Sequence, residues 1–361
     1  MKSKAAILVK PNEALSIREI ESPTVDNGCV LVKTLVSGIC GTDVHCWKGQ
    51  VPLPLPVILG HESVGTIERL GSGRNCDSIG EPIVEGDKIF WVAGQPCGHC
   101  YFCVVLKDTT SCPHRRSYGT SWSCNDYPFL TGGYSERVFL TSKSSFFKLP
   151  STVSPDSAIA FGCGFPTAVK GFESIRLRPN ENVVIQGCGP VGLSSLILAK
   201  MAGAGETIVI GDPPERLDLA KRLGASHVIR MKDTNTHERV KTIREVIGEV
   251  DVCVEASGSP LAVPEGIEIL RRNGRYLIMG VFSDLGGVEI NPSLIVRKNI
   301  QLRGSVYWEP RHLYTVLSIL KSRNSDLRLE RAVTGRYTIE EAIKGLNDVE
   351  SLRCVKAVIQ P

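Results

Sequence analysis

Cys40-Gly41-Thr42-Asp43-Val44-His45 and, shortly after, Gly60-His61-Glu62 bring together a thiol, an imidazole and a carboxylate, with a hydroxyl and a second imidazole beside them. Such a set suits zinc. Structural zinc closes its shell with four Cys or His ligands, whereas catalytic zinc keeps a position for water or substrate. Cys40 and His61 are therefore candidate ligands, and Glu62 is a ligand or a near neighbour of the metal. Either residue alone would be ordinary packing, a buried cysteine near a core histidine. Later motifs change that reading.

Cys97-Gly98-His99-Cys100-Tyr101-Phe102-Cys103 is followed by Cys112. Four thiolates in so short a stretch can close a tetrahedral zinc shell and stabilise a loop with little core of its own. A zinc ribbon for nucleic acid is the alternative. The few basic residues there (Lys107, Arg115, Arg116) and the missing aromatic platform argue against it. Gly162-Cys163-Gly164 adds one more thiol. With Cys40 and His61 it makes a Cys2His set whose fourth position is open.

Gly187-Cys188-Gly189-Pro190-Val191-Gly192 has the G-x-G-x-x-G form, with an apolar strand before it, a helical pattern after it, and Asp212 at the end of the next strand. Gly187 permits a tight turn, Gly189 lets a pyrophosphate approach the backbone, and Gly192 lets helix pack on strand. Pro190 and Val191 open the helix, whose N-terminal N–H groups and dipole favour phosphate. Asp212 would accept hydrogen bonds from the adenosine ribose and repel a 2′-phosphate, which favours NAD over NADP. Arg216 could partner a 2′-phosphate, but its place after Pro213-Pro214-Glu215 puts it over the adenine or in solvent.

The surrounding elements must hold these groups. A chain of 361 residues is long for a single core, so two domains are expected. Residues 30–36, 64–70 and 87–92 are short strands between Gly and Pro punctuation, and the first 150 residues are rich in strands and turns. Ser154-Pro155-Asp156 starts a helix, with a hydroxyl cap, Pro at the first position and an acid in the first turn. From Asn182, strands at 183–185, 207–210, 250–254 and 276–279 alternate with helices at 191–202 and 214–223. Apolar strands alternating with helices describe a doubly wound parallel sheet. A helix near 312–321 and a last strand at 355–359 return to the first domain. The expected layout is α/β: a catalytic domain from 1–160 and 305–361 with a cysteine lobe at 95–113, and a Rossmann domain at 161–304.

Composition narrows the partners. Forty-two Lys and Arg against 38 Asp and Glu leave a net charge of +4, without basic blocks, which disfavours nucleic acid or an anionic membrane. No apolar run approaches the ~20 residues that span a bilayer. The first residues read as a strand that meets Pro11, not as a signal peptide. Thirteen cysteines without an export signal point to thiols and metal ligands in a reducing cytoplasm.

Together these motifs resemble the zinc-dependent medium-chain dehydrogenases of alcohols and polyols, over nearly the whole chain from Gly38-Ile39-Cys40-Gly41-Thr42-Asp43 to Ser351-Leu352-Arg353. The resemblance implies a GroES-like catalytic domain beside the Rossmann domain, and two zinc ions per chain. The catalytic zinc would be held by Cys40, His61 and Cys163, with Glu62 an auxiliary carboxylate that can transiently bind it and Asp43 orienting His61. Cys97, Cys100, Cys103 and Cys112 would hold the structural zinc. Thr42 would take the substrate proton and His45 pass it to solvent. Backbone groups near Val281 and Ser305–Tyr307 would hold the nicotinamide carboxamide, and Arg353 would reach the pyrophosphate.

Two departures stand out. The spacing from Cys103 to Cys112 is one residue longer than usual in the family. Gly41 stands where many alcohol dehydrogenases carry a basic contact, a form nearer the polyol and threonine branches. By the resemblance, Ala93 and Val51 fall where narrow primary-alcohol enzymes often carry larger side chains, which implies a roomy apolar pocket that Cys46, Trp47, Trp122 and Phe129 could line or close. The resemblance runs to bacterial dehydrogenases of alicyclic or terpenoid alcohols. The expected activity is NAD-dependent oxidation of a bulky secondary alcohol to a ketone by a cytoplasmic homodimer or homotetramer. A polyol or amino-alcohol dehydrogenase is the alternative. A non-catalytic NAD-sensing protein would be expected to have lost part of the metal or relay set, and all of it is present.

Overall fold

The computed structural model describes residues 1–280 and 286–361. Its backbone divides into two compact units, Met1–Cys163 with Trp308–Pro361, and Gly164–Tyr307, so both boundaries fall three residues beyond the expected 161 and 304.

In the first unit, the apolar strand Val30–Ile39 is the axis of a seven-stranded sheet. The order runs Phe146–Lys148, Lys88–Trp91, Ser63–Leu70, Val30–Ile39, Lys356–Ile359, Val333–Tyr337, with Arg137–Leu140 also on the axial strand. Val32, Val64, Ile89 and Val358 are fully buried there, each contributing ~1.5–3 kcal/mol relative to exposure. Two registers matter for function. Ser37 lies opposite both Ser63 and Ile359, and Ile39 lies opposite Ala357. The residues just beyond that end of the axial strand, Cys40 among them, are thus flanked by the start of one neighbour and by Lys356 of the other. Ser154 caps the helix Pro155–Ile159 as expected, its Oγ accepting from the Ser157 N–H at 3.0 Å.

The second unit is a six-stranded, all-parallel sheet. Its order is His227–Arg230, Thr207–Gly211, Val183–Gln186, Val250–Glu255, Leu270–Ile278, Gln301–Gly304. This is the doubly wound order in which a dinucleotide binds where the winding reverses, beside the first strand. Val183, Val184 and Ile185 are fully buried, as a strand covered on both faces requires. Of the two edge strands, Gln301–Gly304 is exposed throughout and His227–Arg230 buries only Ile229, so neither leaves a long apolar run in the sequence. Among the described residues no helix is long and apolar enough to cross a membrane.

Candidate active site

Cys40 follows the axial strand directly and caps the helix Gly41–Trp47. Asp43, in that helix's first turn, reaches back so that its Oδ2 accepts from the Cys40 N–H at 2.8 Å. Its Oδ1 lies 3.2 Å from His61 Nδ1. One fully buried carboxylate therefore fixes the backbone of the thiol and, as acceptor, places a proton on Nδ1 of the imidazole, leaving Nε2 for a metal. His61 sits in a turn that needs Gly60: its φ is +93°, and a Cβ there would lie 2.6 Å from the Tyr134 ring.

Cys163, after the helix Pro155–Ile159, completes the set. Its Sγ lies 3.6 Å from that of Cys40, and the ligand atoms of Cys40, His61 and Cys163 all fall within 4.8 Å of one another. Tetrahedral zinc with Zn–S bonds of ~2.3 Å places two sulfurs ~3.8 Å apart, so the donors fit that ion. The thiols divide their proton unequally. Contact with Cys163, and with His61, holds the Cys40 thiol well below its usual range despite burial, whereas the same contact and burial push Cys163 up.

Glu62 lies outside that ligand set. Its Oε2 accepts from the Cys163 N–H and its Oε1 from Lys356 Nζ. Gly38 and Gly162 make room for this carboxylate: a Cβ on Gly162 would sit 1.6 Å from Oε2, and one on Gly38 2.4 Å from Oε1. Burial works against the Lys356 ammonium, but the Glu62 carboxylate and the two sulfurs outweigh it and raise its pKa. Sequence reading missed Lys356. The available signal was a lone lysine beginning the apolar run Ala357-Val358-Ile359.

Thr42 and His45 are three apart on one helix and share a face. Thr42 Oγ1 is 3.8 Å from Cys40 Sγ, and His45 Nδ1 is 2.5 Å from Oε1 of the exposed Gln50, a second partner the sequence did not suggest. The proposed pocket residues are mostly packing. Cys46 is fully buried, Trp47 and Val51 pack against the same core, and Trp122 lies against Tyr118 with ring centroids 5.3 Å apart. Phe129 meets Tyr127 edge-on, and Ala93 is buried.

The cysteine lobe closes on itself. Cys97, Cys100, Cys103 and Cys112 present four sulfurs within 4.8 Å of one another. The longer spacing is taken up between Cys103 and Cys112 by Lys107 at φ +53° and the single turn Thr109–Ser111. Buried Glu309 ties this turn down, accepting from Thr109 N–H at 2.9 Å and its hydroxyl at 2.8 Å.

In the second unit the glycine loop has the required form. A Cβ on Gly187 (φ +113°) would lie 2.6 Å from the Ala256 backbone, and one on Gly192 1.9 Å from the Gly187 carbonyl. Gly189 caps the helix Pro190–Met201, and a Cβ there would meet only Arg216 Nη1, at 4.0 Å. Fully buried Glu255, also missed from sequence, accepts from Ser257 N–H and Oγ, Gly258 N–H and Gly280 N–H, which pins the crevice wall against Gly187. Ser305 N–H bonds the Ile278 carbonyl while its buried hydroxyl has no partner among the described residues, and Tyr307 adopts φ +58°. Val281 lies outside the described residues. Arg216 is buried near Gly189, and Arg353, in the first unit, pairs with Asp348 at 2.8 Å. Asp212 Oδ1 accepts from Arg230 Nε at 3.0 Å.

Residues 26–151 match the alcohol dehydrogenase GroES-like domain and residues 190–322 the zinc-binding dehydrogenase domain. The chain is 33% identical to the 5-exo-hydroxycamphor dehydrogenase of Pseudomonas putida over 99% of its own length and 98% of the relative's. The chain belongs to the zinc-dependent medium-chain alcohol dehydrogenase family. An alcohol dehydrogenase of Thermotoga maritima has the same fold with a TM-score of 0.94, 34% identity and full coverage of both chains. A zinc-binding dehydrogenase of Sinorhizobium meliloti, solved bound to NADP, gives a TM-score of 0.87 and 25% identity, again over both full chains. This dehydrogenase is thus an oxidoreductase acting on the CH–OH group of a small alcohol, or on the matching ketone, with zinc and a nicotinamide cofactor.

Proposed function

We propose that this dehydrogenase catalyses the reversible, NAD-linked oxidation of a bulky cyclic or terpenoid secondary alcohol to its ketone. The carrying observation is the Cys40–His61–Cys163 set: three protein donors, one short of a closed tetrahedral shell, beside a hydroxyl and an imidazole on one helix face. When bound there, zinc would lower the pKa of an alcohol or polarise a carbonyl, and NAD would accept the hydride. The chain's own residues bind, orient and move the proton. Asp43 holds His61 in the tautomer that leaves Nε2 for the metal. Thr42 accepts the substrate's hydroxyl proton and hands it to His45. With Nδ1 donating to Gln50, His45 keeps Nε2 as the acceptor that exchanges with solvent. In this reading Gly187, Gly189 and Gly192 seat the pyrophosphate, and Ser305 and Tyr307 are assigned to the carboxamide, and Arg353 to the pyrophosphate, by resemblance.

His45→Gln is expected to lower kcat on the order of 10²-fold near neutral pH, with the deficit shrinking as pH rises and hydroxide takes the proton directly. A deficit independent of pH would remove His45 from the relay.

The substrate class rests on the likeness to a hydroxycamphor dehydrogenase. A panel of cyclic, aliphatic and polyhydroxylated alcohols, followed by NADH formation, tests it. Cyclic secondary alcohols should show the highest kcat/KM, whereas a preference for polyols would assign the enzyme to the polyol branch. Metal analysis is expected to give two zinc ions per chain, falling to one in Cys112→Ser. One ion in the wild type would leave the lobe metal-free. The same reading takes the enzyme as a cytoplasmic homodimer or homotetramer.

A further inference from the structure

The carboxylate read from the sequence as the NAD determinant does not stand alone. Asp212 follows the strand Thr207–Gly211, and Arg230 ends the neighbouring strand, where it lies directly opposite Gly211. This parallel register delivers the guanidinium to the acid. Arg230 Nε donates to Asp212 Oδ1 at 3.0 Å, and the Lys232 N–H donates to Oδ2 at 3.0 Å. The Asp212 side chain is 8% exposed and that of Arg230 41%. Arg230 Nη1 also lies 3.4 Å from Asp233, which leaves most of its five donors facing solvent.

A lone carboxylate at the end of this strand excludes a 2′-phosphate by charge and accepts the ribose hydroxyls. Here the acid's charge is partly offset by a cation in contact with it, one that it shares with Asp233, and the cation is the more exposed partner. The carboxylate still has lone pairs for a hydroxyl, because only one donor reaches each oxygen. The guanidinium in turn offers a planar, charge-assisted donor set to a phosphate.

We propose that Asp212 and Arg230 act as a paired selector at the adenosine 2′-position, in which Arg230 weakens the discrimination against NADP that Asp212 alone would impose. The proposal rests on the reading of this unit as a nicotinamide-dinucleotide domain. It makes Arg230 a specificity determinant, and it predicts opposite shifts from removing the two partners.

The test uses the adenosine fragments 5′-AMP and 2′,5′-ADP, titrated calorimetrically into the zinc-loaded wild type and the Arg230→Gln, Arg230→Lys and Asp212→Asn variants. The affinity ratio of 2′,5′-ADP to 5′-AMP is expected to fall about tenfold in Arg230→Gln and to rise about tenfold in Asp212→Asn. Arg230→Lys, which keeps the charge, should stay close to wild type. The NADP-to-NAD ratio of kcat/KM should follow in the same directions. A shift in Asp212→Asn with none in Arg230→Gln would reduce Arg230 to a surface ion pair and overturn the proposal. Failure of the wild type to bind the fragments, NAD or NADP would instead remove the dinucleotide reading beneath it. Unchanged unfolding midpoints, expected for so exposed an arginine, separate these outcomes from misfolding.

Discussion

Cys40→Ser should abolish most turnover, by on the order of 10³-fold or more, while leaving dinucleotide binding intact. The magnitude follows from the several kcal/mol that a Lewis acid supplies at a developing oxyanion, with each ~1.4 kcal/mol worth a factor of ten. The selectivity follows from the fold. Cys40 belongs to the unit built on Val30–Ile39, whereas the glycine loop belongs to a parallel sheet with its own buried core. A serine hydroxyl also cannot reproduce a thiol held as low as that of Cys40. Metal analysis should show one zinc ion lost per chain, and NADH fluorescence titration should give a Kd within about twofold of wild type, a change worth under ~0.5 kcal/mol. Unchanged turnover would dismiss the zinc role of Cys40.

Lys356→Met should cost about 3–5 kcal/mol of stability in the first unit, because it strands a buried carboxylate. The side chains of Lys356 and Glu62 are 2% and 1% exposed, so solvent cannot take over the lysine's part. That loss is a large fraction of the ~5–15 kcal/mol by which domains are stable. It is read as a lower denaturant midpoint. The double variant Lys356→Met/Glu62→Gln should recover most of it, since a neutral amide removes the stranded charge while its oxygen can still accept from the Cys163 N–H. A single variant as stable as wild type would show that Glu62 is neutral or otherwise compensated. The carboxylate's release should also be felt at the metal. Freed from Lys356, Glu62 is held by the Cys163 N–H alone, one residue from His61, and the zinc content and affinity of the variant are expected to change with it.

The Rossmann unit was the most legible part of the chain, because each of its main signals is local. Strand Val183–Gln186 is buried throughout and apolar up to Ile185, and Gly187 and Gly192 are required by contacts with residues 256 and 187 that only a missing Cβ permits. The edge strands His227–Arg230 and Gln301–Gly304 were not legible, since an exposed strand needs no apolar pattern. Asp212 illustrates the harder case. Its type and place after a strand are visible in sequence, but the arginine that meets it is 18 residues away and arrives through the parallel register.

The metal set divides in the same way. The chain by itself determined which candidate donors exist: Cys40, His61 and Cys163 in one set, and four cysteines within residues 97–112 in another. It also determined that Asp43, three residues after Cys40, could reach back to that residue's N–H. Only the tertiary structure decided what Glu62 does. Pairing of the last strand with Ser37–Ile39 carries Lys356 into the interior, 294 residues from Glu62 in sequence. A buried carboxylate must be neutralised, and the strand that brings the nearest cation settles where it points.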